Sequence, residues 1–127
     1  MELKKYITIY DDVLPLNALS SLLKFANKTT FQKATVGSGG TENFNIRRTY
    51  TNALSNLSNS MTECHWANLL CHFFRKNLNE YGKVNKIIDY GYTEIKDIEI
   101  LKYEQTGFYT WHVDHFSAIP RTMSCIL

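Results

Sequence analysis

The residues best suited to chemistry in this chain are a histidine and an aspartate two positions apart, His112 and Asp114. They lie in a stretch rich in aromatic and β-branched residues, Phe108 to Val113, which is typical of a β-strand. Because successive strand side chains point to opposite faces, His112 and Asp114 are expected on one face, about 6.6 Å apart along the backbone. An imidazole and a carboxylate at that spacing can bind one metal ion. The alternative is an exposed strand end at which Asp114 caps a turn.

Non-haem Fe(II) oxygenases use two histidines and one carboxylate on one face of the iron, which leaves positions open for substrate and oxygen. The motif here supplies one histidine, His112, and one carboxylate, Asp114. His115 points to the opposite face of a regular strand, so it is not expected to be the third ligand. The dipeptides Cys64-His65 and Cys71-His72 do not predict zinc, because residues seven apart on a helix lie about 10.5 Å apart along its axis. Both cysteines are expected to be small core residues.

The surroundings of His112 resemble the iron- and 2-oxoglutarate-dependent dioxygenases of the prolyl 4-hydroxylase type. In that family a Tyr–Gly–Tyr–His-x-Asp segment precedes an Arg-x-x-Ser/Thr strand, and the matching residues here are Tyr103, Gly107, Tyr109, His112, Asp114, Arg121 and Ser124. Upstream, the run from Asn45 to Thr49 is similar to an arginine-containing segment before the family's long helix. The likeness is sharp from Glu99 to Leu127 and looser before that.

The resemblance implies hydroxylation of a C–H bond, with Fe(II), 2-oxoglutarate and O2 as cofactors and ascorbate as a further candidate. His112 and Asp114 would be metal ligands. The hydroxyl of Tyr103 would bind a carboxylate of 2-oxoglutarate, unless Tyr103 is simply a core tyrosine. Arg121 and Arg47 would lie near a peptidyl (prolyl-like) or small-molecule substrate, unless they are ordinary surface arginines.

The chain departs from the family at its end, because the family's distal histidine and its basic partner for 2-oxoglutarate lie on later strands. We therefore interpret the chain as the N-terminal portion of a dioxygenase, inactive alone. A non-catalytic jelly-roll binding module, or a subunit completed by another chain, are the alternatives. A final strand from Thr122 to Leu127 would leave an open sheet edge, which predicts a homodimer through the segment from Phe116 to Leu127.

The first half of the chain contains the helices that must support this site. A strand is predicted from Lys5 to Tyr10, and a helix from Pro15 to about Asn27. A glycine-rich loop or hairpin tip follows, from Thr35 to Asn45. The strongest helix runs from Ser60 to Tyr81; Ser60 and Glu63 form a capping box at its start, and Gly82 is placed to end it in a left-handed cap.

The second half turns to β-structure, with strands predicted at Ile87 to Tyr92, Ile95 to Tyr103, Phe108 to Phe116 and Thr122 to Leu127. The resulting fold class is α+β: a partial double-stranded β-helix (jelly roll) with N-terminal supporting helices. We expect one incomplete dioxygenase domain over residues 1–127, with a helix-containing support region at residues 1–85 and the first core strands at residues 86–127.

The amino-acid composition indicates the number of domains, the kind of partner and the location of the protein. A chain of 127 residues that is 44% hydrophobic fits one globular domain, and a net charge of +2 does not favour a nucleic-acid partner. The longest apolar runs are too short to cross a membrane, and the first residues lack the apolar core of a signal peptide. Three cysteines without framework spacing fit reduced thiols, so a cytoplasmic location is expected.

Overall fold

The computed structural model describes residues 2–37, 40–56, 59–86, 94–115, 117 and 120–127. Among these residues the chain forms two α-helices and five short β-strands. The chain divides into two compact units, one made of Met1–Thr29 with Ala53–Glu99 and the other of Thr30–Asn52 with Ile100–Leu127. Both helices lie in the first unit, and nearly all strand residues lie in the second.

The first helix, α1, spans Leu16–Lys28, and Pro15 is its N-cap, as the sequence predicted. Pro15 suits a helix start because it has no N–H to leave unpaired, and its carbonyl accepts the Leu19 N–H at 2.9 Å. Leu22 is the buried residue of α1. The Phe25 ring stacks on Trp66 of the second helix, with 5.9 Å between ring centres.

The second helix, α2, spans Met61–Asn85 and confirms the predicted capping box. The Ser60 hydroxyl accepts the Glu63 N–H at 3.3 Å, and the Glu63 carboxylate accepts the Ser60 N–H at 2.8 Å. The predicted stop at Gly82 is wrong, because α2 continues to Asn85 and Lys86 adopts the left-handed conformation (φ 52°). Gly82 is a buried residue within α2.

The predicted strand from Lys5 to Tyr10 is also wrong. Leu3–Tyr6 form a short 3₁₀ turn, and residues 7–10 belong to no strand. Ile7 and Ile9 are exposed. Alternating side chains make a strand only where a neighbouring strand accepts the backbone hydrogen bonds, and no described strand pairs with this segment. Instead the Tyr6 carbonyl accepts the Tyr81 hydroxyl at 2.9 Å.

Two small sheets contain the strands. β1 (Gln32–Lys33), β3 (Tyr50–Ala53) and β4 (Glu99–Lys102) form one sheet in the order β1-β3-β4. β2 (Arg47–Arg48) and β5 (Phe108–Tyr109) form the other as an antiparallel pair, in which Arg47 lies opposite Tyr109 and Arg48 opposite Phe108.

The segment between β1 and β2 is a hairpin tip, as the sequence predicted. Val36 and Thr41 form an isolated antiparallel bridge, with backbone hydrogen bonds of 2.8 and 3.3 Å between them. Gly37 and Gly40 have positive φ angles of 69° and 63°, a backbone conformation that glycine adopts without steric cost.

Thr49, the residue between β2 and β3, is the most deeply buried polar residue of the second unit, at 0% exposure. Its hydroxyl donates to the Lys102 carbonyl at 2.9 Å, and its own carbonyl accepts the Ala34 N–H at 3.0 Å. Because Thr49 directly follows β2 and contacts β4, it connects the backbone of the two-stranded sheet to that of the three-stranded sheet.

The predicted C-terminal strands are shorter than expected or absent. The strand predicted from Ile95 to Tyr103 is confirmed only over Glu99–Lys102, and the one from Phe108 to Phe116 only over Phe108–Tyr109. The predicted strand from Thr122 to Leu127 is wrong, because this segment makes side-chain rather than ladder contacts. The strand predicted from Ile87 to Tyr92 falls outside the described residues.

These differences bear on the predicted architecture. The described residues mix helix and antiparallel sheet but do not close a barrel, so the double-stranded β-helix stays a prediction. The homodimer also stays a prediction, now without a strand at its proposed edge. Each compact unit draws on both halves of the chain, and the division at residue 85 remains untested. No helix of the described residues is long and apolar enough to span a membrane.

Gly107 provides a test of the turn that leads into β5. Its N–H donates to the Glu104 carbonyl at 2.7 Å, and a Cβ atom placed on it would lie 3.0 Å from the carbonyl oxygens of both Arg48 and Glu104. Those are backbone atoms that cannot rotate away. Gly107→Ala should therefore lower the free energy of unfolding by about 1–3 kcal/mol in urea denaturation. Thr106→Ala, at the exposed neighbour, should change it by less than about 0.5 kcal/mol; equal effects would contradict this account.

Candidate functional site

His112 and Asp114 lie beyond the end of β5 and not within a strand, which corrects the predicted geometry. The chain bends at Trp111, so strand alternation does not decide where these side chains point. Their functional atoms nevertheless come together, with His112 Nε2 3.3 Å from Asp114 Oδ1. The two side chains remain partly accessible, at 37% and 46% exposure. The pair is therefore both preassembled and open to solvent.

The hydrogen bonding of His112 determines which ring nitrogen faces Asp114 with a lone pair. Nδ1 lies 2.8 Å from the Thr110 carbonyl oxygen. A carbonyl can only accept a hydrogen bond, so Nδ1 carries the proton and Nε2 of the neutral ring is an acceptor. Nε2 then faces a carboxylate oxygen that is also an acceptor. A proton on Nε2 would make this 3.3 Å contact an ion pair, and a metal ion could bind both atoms.

The second carboxylate oxygen of Asp114 is held separately. The Ser124 hydroxyl donates to Oδ2 at 2.8 Å. This bond leaves Oδ1 as the oxygen that faces the imidazole. A carboxylate fixed by a hydroxyl and an imidazole fixed by a backbone carbonyl form the outer contacts that usually accompany metal ligands.

The distance between the two donor atoms also fits a shared ion. Ligands on adjacent positions of an octahedral first-row ion, with bonds of about 2.1 Å, lie about 3 Å apart. The observed 3.3 Å between Nε2 and Oδ1 is close to that separation. Imidazole nitrogen and carboxylate oxygen are donors that suit Fe(II). In the described part of the chain no three His, Cys, Asp or Glu residues form a metal-binding group; His112 and Asp114 are two potential donors.

Two further residues of the second unit lie against this pair in a way that strand alternation did not predict. The Tyr109 ring stacks on the His112 imidazole, with 3.6 Å between centres and 15° between planes. The guanidinium carbon of Arg47 lies 4.7 Å from the centre of the same tyrosine ring. Tyr109 precedes His112 by three positions, and only the bend at Trp111 brings the rings together.

The C-terminal segment contacts the motif at two points. Ser124 holds Asp114, and the carbonyl oxygen of Arg121 lies 3.2 Å from Nδ1 of His115. His115 therefore contacts the C-terminal segment through Nδ1, and its expected exclusion as the third ligand stays a prediction. The Arg121 side chain is exposed.

The remaining predicted site residues have different surroundings. Tyr103 directly follows β4 and is 49% exposed; among the described residues no hydrogen bond joins its hydroxyl to His112 or Asp114. Arg47 is half-buried, and its Nη1 donates to the Thr35 carbonyl at 3.0 Å. On α2, Cys71 is half-buried, whereas Cys64 is exposed and its predicted core position is wrong. Trp66 and Leu70 occupy the buried face of α2 instead.

No family model, curated protein or solved structure matches this chain. The geometry of the site and the His-x-Asp motif are therefore the basis for a proposed function.

The contact between Ser124 and Asp114 predicts an effect on metal affinity. Ser124→Ala removes the hydroxyl that holds Oδ2, so the carboxylate can rotate away from the imidazole. We expect affinity for Mn(II), measured by electron paramagnetic resonance of the free ion, to fall about tenfold. Ser117→Ala, at an exposed serine, is the matched control and should bind as the parent does. Unchanged affinity in Ser124→Ala would show that this hydroxyl does not orient Asp114.

Proposed function

We propose that this chain carries the His-x-Asp half of the iron site of a 2-oxoglutarate-dependent dioxygenase of the prolyl 4-hydroxylase type. The observation that supports this most is the approach of His112 Nε2 to Asp114 Oδ1 at 3.3 Å, with the ring proton held on Nδ1 by Thr110. That arrangement brings an imidazole nitrogen and a carboxylate oxygen close together. A proton on Nε2 would make the contact an ion pair; we propose instead that a divalent metal ion binds both atoms, because their donor types suit Fe(II).

Residues of this chain would bind the metal ion, orient its ligands and bind the cosubstrate. His112 Nε2 and Asp114 Oδ1 would hold Fe(II), while Thr110 and Ser124 would keep those two atoms facing each other. With bound Fe(II) and O2, 2-oxoglutarate is converted to succinate and CO2, and a substrate C–H bond becomes C–OH. The Tyr103 hydroxyl would bind a carboxylate of 2-oxoglutarate. Arg121 would lie near the substrate, which we propose to be a peptidyl (prolyl-like) or small-molecule one.

The site needs more than the described residues provide. A second histidine and a basic residue for the far carboxylate of 2-oxoglutarate would be needed besides these residues. We accordingly propose that the 127-residue chain is inactive alone. A cytoplasmic location forms part of the proposal, because the three cysteines are unpaired and a reducing compartment preserves thiols.

Metal binding is the direct test. Mn(II) serves as a redox-inert stand-in for Fe(II) in calorimetric titration of the parent, His112→Ala and Asp114→Ala. We expect weak binding by the parent, and at least about tenfold weaker binding by each variant, because each loses one of two protein ligands. His115→Ala removes a histidine from the same segment without removing a proposed ligand, and should retain parental affinity. Parental affinity in both the His112 and Asp114 variants would overturn the proposed site.

The cosubstrate separates an oxygenase site from a metal-binding module without catalysis. If 2-oxoglutarate chelates the same ion, saturating 2-oxoglutarate should tighten Mn(II) binding by about tenfold, because the two ligands bind cooperatively. Tyr103→Phe should reduce that enhancement while leaving Mn(II) affinity alone unchanged, and Tyr6→Phe is the matched control. Mn(II) binding that is indifferent to 2-oxoglutarate would favour the non-catalytic module.

A further inference from the structure

The ring stack between Tyr109 and His112 is the closest ring contact among the described residues, with 3.6 Å between centres. The two rings are nearly parallel, at 15°, so the imidazole has its face covered over most of its area. His112 is otherwise a partly exposed side chain with two polar contacts, from Nδ1 to the Thr110 carbonyl and from Nε2 to Asp114 Oδ1. Those contacts lie at the edge of the ring, whereas a stacked neighbour restrains the plane of the ring.

Tyr109 is itself held in place from strand β2. It lies opposite Arg47 in the β2–β5 pair, and the Arg47 guanidinium carbon is 4.7 Å from the centre of its ring. Arg47 is anchored by the bond from Nη1 to the Thr35 carbonyl. Its Nε is buried and has no hydrogen-bond partner within the described residues, which is unfavourable for a charged donor. The guanidinium position is therefore better explained by its contact with the tyrosine ring than by its hydrogen bonding alone.

The backbone connects the same strand pair to the other contact of His112. The Thr110 N–H donates to the Ile46 carbonyl at 2.9 Å, which extends the β2–β5 pairing by one residue. The Thr110 carbonyl is the group that accepts the Nδ1 proton of His112. Two of the contacts of the imidazole, one ring and one carbonyl, therefore come from adjacent residues that pair with β2 or directly follow that pairing.

We propose that Tyr109 is a positioning residue for His112 and that Arg47 supports it from strand β2. Tyr109 acts through the imidazole: it holds the ring plane so that Nε2 points to the position shared with Asp114 Oδ1. This role of Tyr109 deepens the proposed function and rests on it for its consequence in metal binding. The orientation of the ring itself does not require a metal. Arg47 then has a structural role beside the substrate role that the sequence suggested.

The ring orientation is measured first in the metal-free protein. Long-range proton–nitrogen correlation spectra of the histidine rings, recorded where imidazole is neutral, report which nitrogen of His112 carries the proton. We expect the Nδ1–H form to dominate in the parent and in Tyr109→Phe, which keeps an aromatic ring. In Tyr109→Leu the two tautomers should reach comparable populations, and the ring-current shift of the His112 carbon-bound protons should disappear.

The neighbouring strand residue provides a matched control. Phe108→Leu removes an aromatic ring from the same strand and its contact with Arg48, whose guanidinium carbon lies 5.5 Å from that ring, but it leaves the His112 stack intact. It should preserve the parental spectrum of His112. Thermal unfolding of both leucine variants shows whether they are equally folded. If Tyr109→Leu does not fold, Tyr109→Met, which keeps the bulk without the ring, takes its place.

The metal measurement connects the stack to the site. Mn(II) affinity should fall about tenfold in Tyr109→Leu and stay within about twofold of the parent in Tyr109→Phe and Phe108→Leu. An unchanged tautomer ratio of His112 in Tyr109→Leu would overturn the positioning role, whatever the metal affinity. If the spectra change as expected but the parent binds no Mn(II), the positioning of His112 stands and the proposed iron site fails.

Discussion

The short pairing of β2 with β5 is the interaction on which the rest of the candidate site depends. It places Arg47 opposite Tyr109 and continues through the bond from Thr110 to Ile46. From that point the chain bends, and His112 is held by the ring of one paired residue and the carbonyl of the next. Although β2 and β5 have only two residues each, their pairing positions the Tyr109 ring and the Thr110 carbonyl, which both contact His112.

The candidate site brings His112 Nε2 and Asp114 Oδ1 to within 3.3 Å of each other. The His112 and Asp114 acceptors face each other because each is held from behind, by a backbone carbonyl and by the Ser124 hydroxyl. Without those outer contacts the side chains, both partly exposed, would turn toward water. Ligands held in this way would lose little freedom on binding a metal ion, as the proposed function requires.

Local signals in the sequence predicted the helices well and the strands poorly. The capping box at Ser60 and the proline before Leu16 act on their own first turns, so no distant residue is needed to realise them. A strand requires a partner, and the alternating pattern from Lys5 to Tyr10 found none among the described strands. The prediction for Gly82 rested on a local cap rule, but α2 continues through Gly82 to Asn85 and the left-handed residue is Lys86.

The sequence by itself determined that one histidine and one carboxylate stand two positions apart, followed by a serine within reach of a turn. It also determined the donor chemistry, since residue types decide which metals a site prefers. Tertiary structure decided the rest. Strand alternation was the wrong reason for His112 and Asp114 to meet, because they lie past the strand, where hydrogen bonds and a ring stack orient them. Such contacts depend on the course of the backbone just after Tyr109, which pairs with Arg47 of β2 about sixty residues away in sequence.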